Sequence, residues 1–225
     1  KPLDSSAVSL IGSSTWPPPW TRLPTLRVGS RSPSTTEANA PPAIEDDWRV
    51  WLRTLFAGYL SSPMGDPIPF AAHHADIWEW VWALRRGAKP RSLVEVLARG
   101  GGKSTNAEMG CVAVGARRAR RYGWYICGVQ PQADDHVGNV GAMLESRTIG
   151  QYYPDLADRD VNKYGTSKGW RRNRMRTRDG FTIDALGLDV AARGAKLDEV
   201  RPDFMVFDDI DSETDSLPAI EKKIK

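Results

Sequence analysis

Three glycines followed by lysine and serine, set between an apolar stretch and a helix pattern, limit the folds open to this chain. The run reads Leu97-Ala98-Arg99-Gly100-Gly101-Gly102-Lys103-Ser104-Thr105. Before it, Ser92-Leu93-Val94-Glu95-Val96-Leu97 reads as a short buried strand, and after it a helix pattern runs from Lys103 to about Arg120. Strand, glycine turn and helix in that order are the context of a phosphate-binding loop, or Walker A motif. Glycines let backbone N–H groups turn toward one point and approach phosphate oxygens closely. The helix N-terminus adds its partial positive charge. Lys103 is placed to reach the β- and γ-phosphates of ATP, and Ser104 to ligate Mg2+. The standard pattern has Gly six residues before the Lys; here Leu97 stands there, and Arg99 adds a second cation. The plain alternative is a glycine-rich turn capped by a helix.

A phosphate loop needs an acid on a second strand to hold Mg2+ and activate water. Phe204-Met205-Val206-Phe207 followed by Asp208-Asp209 supplies one. Four apolar residues fit a central parallel strand buried on both faces. Asp208 then emerges at the carboxyl end, where ligands bind in open α/β sheets. Asp208 is expected to hold the Mg2+ water shell and Asp209 to orient the attacking water. Asp211 and Glu213 are alternatives for the second role.

The rest of the chain fits the same architecture. Residues 48–59 and 72–86 read as helices, 124–129 as a strand and 132–145 as a helix. Gly123 is expected to stop the helix after the glycine loop. Residues 170–177 and 181–186 flank Asp179-Gly180, a hairpin signal. The alternation of strand and helix implies βαβ units and a mainly parallel sheet flanked by helices. In the first 42 residues Ser, Thr and Pro make up 21, which reads as a flexible tail ahead of a domain over 43–225.

Composition excludes several classes. Lys plus Arg is 31 against 28 for Asp plus Glu, a formal net charge of +3, so charge alone indicates neither a nucleic-acid coat nor a membrane-surface protein. Two Cys rule out a disulfide framework; Cys111 and Cys127 read as reduced small hydrophobes, which favours a cytoplasmic compartment. No apolar run approaches the roughly 18 residues of a membrane span.

Weaker features have plainer readings. Trp78, Trp80 and Trp82 alternate along a helix and so cannot share one face, which favours packing over adenine stacking. His136 reads as an ordinary helix residue. Arg172, Arg174, Arg176 and Arg178 would line one face of a strand, facing DNA phosphates, an acidic neighbour or solvent. Arg117, Arg118, Arg120 and Arg121 fit dipole pairing at the end of their own helix.

Taken together, residues 72–216 resemble the large terminase subunit of tailed bacteriophages, the DNA-packaging motor. The likeness rests on His74-Ala75-Asp76-Ile77-Trp78-Glu79-Trp80, the deviant loop from Arg99 to Thr105, and Gly128-Val129-Gln130-Pro131-Gln132-Ala133. Most telling is Ala192-Arg193-Gly194 leading into Arg201-Pro202-Asp203 and the Walker B strand. The resemblance implies a P-loop NTPase of the RecA/ASCE type, truncated after the Walker B strand, with a nuclease domain beyond the chain end. It implies ATP and Mg2+, a homo-oligomeric ring on the portal protein, a small terminase subunit, double-stranded DNA as cargo, and the host cytoplasm. Arg99 matches the loop arginine that senses the γ-phosphate. Arg193 best matches the arginine offered in trans to a neighbour's ATP. Asp209 departs from the family's usual Glu. Two other functions fit the motifs: another P-loop ATPase such as a helicase, and a non-hydrolysing, nucleotide-gated DNA-binding or assembly module.

Overall fold

The computed structural model describes residues 42–188 and 200–210. Its first elements are a 3-10 turn at Ala43–Asp46, α1 (Trp48–Leu55), a second 3-10 turn and α2 (Ala72–Ala83). Next come α3 (Lys103–Ala116), β1 (Tyr122–Cys127), α4 (Gln130–Leu144), α5 (Arg147–Tyr152) and α6 (Pro154–Ala157). The last elements are β2 (Arg174–Arg176), β3 (Thr182–Gly187) and β4 (Phe204–Phe207). All but one residue of the expected tail, 1–42, lies outside the described residues.

The four strands form one mixed, mostly parallel sheet in the order β2-β3-β1-β4. β1 runs parallel to both β3 and β4, and β2 returns antiparallel onto β3 around the expected Asp179-Gly180 turn. The protein is therefore an α/β structure, as the alternating pattern implies. Among the described residues no helix is long and apolar enough to cross a membrane.

One sheet face carries Ala185, Tyr125 and Val206 in one row and Met175, Ile183, Gly123 and Phe204 in the next. Helices α3 and α4 cover it: Tyr125 stacks on His136 of α4, and Gly141 and Gly115 lie against Met175 and Phe181. Gly123 does not stop a helix. It sits inside β1, where the Phe204 ring occupies the space a Cβ would take, 2.0 Å from its ideal position. The helix before it ends at Ala116, and Arg118 turns the chain with φ 52°.

Two strand expectations fail. Residues 92–97 form no strand among the described residues; their exposure alternates, with Leu93 and Leu97 against the core and Val94 and Val96 80% and 91% exposed. A segment becomes a strand only with a ladder partner, and none of the described strands pairs with it. Among the described residues β4 is not central either. It forms one edge of the four-stranded sheet, with Met205 and Phe207 half-exposed on the face away from α3 and α4.

The carboxylate of Asp203 fixes the start of β4, accepting from the backbone N–H groups of Arg121 and Tyr122 at 2.9–3.2 Å. Two of the arginines after α3 serve other backbone than their own helix. Arg117 donates to the carbonyls of Val81 and Trp82 in the last turn of α2, and Arg120 to those of Arg85 and Ala88 in the segment that follows it. The four arginines near β2 each meet an acid of the same chain: Arg172 with Asp135, Arg174 with Asp184, Arg176 with Asp160 and Arg178 with Asp158. Of the readings open to this basic row, acidic neighbours within the chain are the ones the structure shows.

The glycine in β1 gives a direct test. Gly123→Ala is expected to destabilise the fold by about 1–3 kcal/mol, the usual cost of overpacking a core. Phe204→Ala removes the ring that causes the clash. Urea unfolding of both single variants and the double variant should show the Gly123→Ala cost largely relieved when Phe204 is also Ala.

Candidate functional site

The glycine loop is built by positive-φ glycines. Gly100 and Gly102 adopt φ 83° and 76°, a region that side chains other than Asn and Asp rarely enter. Gly101 has no such angle, but a Cβ there would lie 3.1 Å from the Ala98 carbonyl oxygen. The loop then opens α3 with no side chain capping its first turn.

Three residues outside the loop hold it. Trp78 Nε1 donates to Asn106 Oδ1 at 2.7 Å, and Asn106 Nδ2 donates to the Gly102 carbonyl at 2.8 Å. His74 Nδ1 accepts from the Ala71 N–H at 3.1 Å, which leaves Nε2 as the donor facing the Gly101 carbonyl at 3.4 Å. Burial, then the neighbouring His73, lowers the His74 pKa, in keeping with a neutral ring. Trp78 packs, as its place on the helix suggests: its ring is fully buried among Trp48, Trp51 and Trp82. Its indole N–H also anchors the loop, a role for which the only sequence signal is a Trp on the helix ahead of it.

The loop meets the acids after β4. Lys103 Nζ lies 3.2 Å from Asp208 Oδ1 and also pairs with Asp209 Oδ1. Asp208 is 3% exposed. Tyr125 donates to its Oδ2 at 2.9 Å, and Ser104 is a hydrogen-bonding neighbour. Burial alone would raise the Asp208 pKa, but Ser104, Tyr125 and Lys103 outweigh it and hold the carboxyl below the ordinary range. The Lys103 pKa is raised, chiefly by Asp209. Asp209 itself has φ 46° and an exposed side chain.

Lys103, Ser104, Asp208 and Asp209 therefore come together at the carboxyl ends of β1 and β4. Arg99 is exposed and has no ion pair among the described residues, and Thr105 makes no side-chain hydrogen bond there. Arg193, Asp211 and Glu213 lie outside the described residues. The motif after β1 has a positional role: Gln130 accepts from the Gly187 N–H at 2.8 Å and donates to the Ala185 carbonyl at 3.2 Å, tying α4 to the end of β3.

The residues suit a cation held mainly by its ligand. Asp208 Oδ1 is buried, and Lys103 lies near it but off the line of a directed hydrogen bond. No group of three His, Cys, Asp or Glu capable of holding a metal occurs among the described residues. One carboxylate and one hydroxyl are what Mg2+ takes from a protein when phosphates and water supply the rest.

His136 is not isolated, as its place in the sequence suggests. Its Nδ1 lies 2.7 Å from Glu108 Oε1, and this partner raises its pKa. A His raised in the fold contributes stability that is full below its unfolded value, about 6.5. That contribution is lost as pH rises through the raised folded value. The stability gap between the parent and His136→Gln, read by urea unfolding, should therefore be larger at about pH 6 than at about pH 9.

The chain matches no protein-family model, no curated protein and no solved structure.

Proposed function

We propose that this chain is a P-loop ATPase, and specifically the ATP-hydrolysing motor subunit of phage DNA packaging. The observation that carries the ATPase reading is the meeting of Lys103 and Ser104 with Asp208, a buried acid from a strand more than a hundred residues away. The motor reading rests on the sequence resemblance over 72–216. It carries with it double-stranded DNA, the portal protein, the small terminase subunit and a homo-oligomeric ring as partners, and a nuclease domain outside these residues.

In this reading the N–H groups of the glycine loop and the first turn of α3 bind the phosphates. Lys103 moves its charge from the two aspartates to the β- and γ-phosphates, where negative charge develops during transfer. Mg2+, held by Ser104 and Asp208, would neutralise phosphate charge. Asp209, exposed at the rim of the cluster, orients the attacking water and accepts its proton. Arg99 is free to swing toward the γ-phosphate, and Arg193 acts on a neighbour's nucleotide.

Lys103→Ala should lower ATP turnover by about 10²-fold or more, because it removes a cation from the site of transition-state charge. Asp208→Asn should lose Mg2+-dependent turnover, and Asp209→Asn should bind ATP without cleaving it. A phosphate-release assay with a parallel nucleotide-binding measurement checks all three. Normal turnover by Lys103→Ala would sink the ATPase reading. ATP binding without any hydrolysis by the parent would point to the nucleotide-gated module instead.

A further inference from the structure

Asp208 faces two ways. Its Oδ1 looks toward Lys103, while its Oδ2 accepts from Tyr125 at 2.9 Å and lies 3.9 Å from His136 Nε2. Behind it the contacts continue. The Tyr125 ring stacks on the His136 ring at 4.9 Å between centroids and 22° between planes. His136 Nδ1 meets Glu108 Oε1 at 2.7 Å, and Asn139 Nδ2 donates to the same oxygen at 2.8 Å. Tyr125 is fully buried and Glu108 is 5% exposed.

The four elements of the cluster are thereby joined. Glu108 is on α3, the helix that begins with Lys103 and Ser104; His136 and Asn139 are on α4; Tyr125 is on β1; Asp208 follows β4. A buried acid such as Glu108 is costly unless it is paired and hydrogen-bonded. Apolar residues would fill this space between the helices and the sheet without that penalty. The polar chain also ends on the buried carboxylate that Lys103 meets.

We propose that Tyr125, His136 and Glu108 are positioning residues that fix the direction of the Asp208 carboxylate relative to Lys103 and Ser104. This rests on the reading of those residues as a nucleotide site. Tyr125 restrains Oδ2 directly. His136 buttresses the Tyr125 ring, and Glu108 holds His136 from the helix that begins at the glycine loop.

The test uses the full chain, ATP and Mg2+ or Mn2+. Tyr125→Phe deletes one hydroxyl and keeps the ring stacked. Its kcat should fall about tenfold, the scale of a lost hydrogen bond to a charged group, while KM for ATP stays within about twofold. Mn2+ binding in the presence of ATP, read by electron paramagnetic resonance, should weaken by a similar factor. Glu108→Ala should lose turnover in the same way, and Glu108→Gln, which keeps an acceptor for His136, should recover part of it. Lys103→Ala runs in parallel. If the parent turns over ATP, Lys103→Ala abolishes it, and Tyr125→Phe and Glu108→Ala keep parental kcat and Mn2+ affinity, the positioning role is overturned while the nucleotide site stands. Lower thermal stability with unchanged kcat overturns the role equally, since it marks a purely structural network. A parent that neither binds nor hydrolyses ATP overturns both.

Discussion

A carboxylate that is 3% exposed stays charged only if the groups around it replace water, and Asp208 imposes that condition on the whole molecule. Lys103 and Ser104 must come from the start of α3, and Tyr125 from the middle of β1. The glycine loop must therefore end where β4 ends. The opposite end of β4 is registered separately, by Asp203 on the backbone of Arg121 and Tyr122. With both ends of a four-residue strand pinned to β1, the position of Asp208 follows from the sheet rather than from a loop.

The aromatic cluster ahead of the loop serves the same constraint from the other side. Trp48, Trp51, Trp78 and Trp82 pack with ring centroids 5.5–6.4 Å apart and join α1 to α2, which lies against α3. Trp78 then reaches Gly102 through Asn106, so a large apolar payload holds a loop that has almost no side chains of its own. Arg117 closes the far end of α2 and lies over the Trp82 ring at 4.2 Å, while Arg120 holds the segment after it.

The site is legible in the sequence where chemistry depends on residue type and adjacent position. Gly100, Gly102, Lys103, Ser104, Asp208 and Asp209 are of that kind, as is the Asp179-Gly180 turn. What depends on a third element is not. Whether residues 92–97 join a ladder, or β4 lies inside a sheet, is decided by neighbours that an apolar run does not name. The arginines near β2 show the same limit: their row is visible, but Asp135, Asp155, Asp158, Asp160 and Asp184, which neutralise it, come from α4, α6, β3 and the loops between. His136 and Glu108 sit 28 residues apart on two helices and share no motif.

Asp209 shows how one of these departures arises from the backbone. The resemblance leads one to expect Glu at this position, and its replacement by Asp looks at first like a loss of catalytic reach. The chain there has φ 46°, however. Asp and Asn tolerate that left-handed region better than longer side chains do, because their short polar groups can bond locally. The conformation is held in place: the Gly128 N–H donates to the Asp209 carbonyl at 3.2 Å, and a Cβ at Gly128 would lie 3.2 Å from the carbonyl oxygens of both Asp209 and Ile210. The turn after β1 and the turn after β4 thus press against each other with glycine on one side. The backbone angle on the other side selects a short acid, and Lys103 supplies its counter-charge. In this geometry the short side chain at 209 suits the turn that carries the carboxylate, and the reach of the acid is set by where that turn is held.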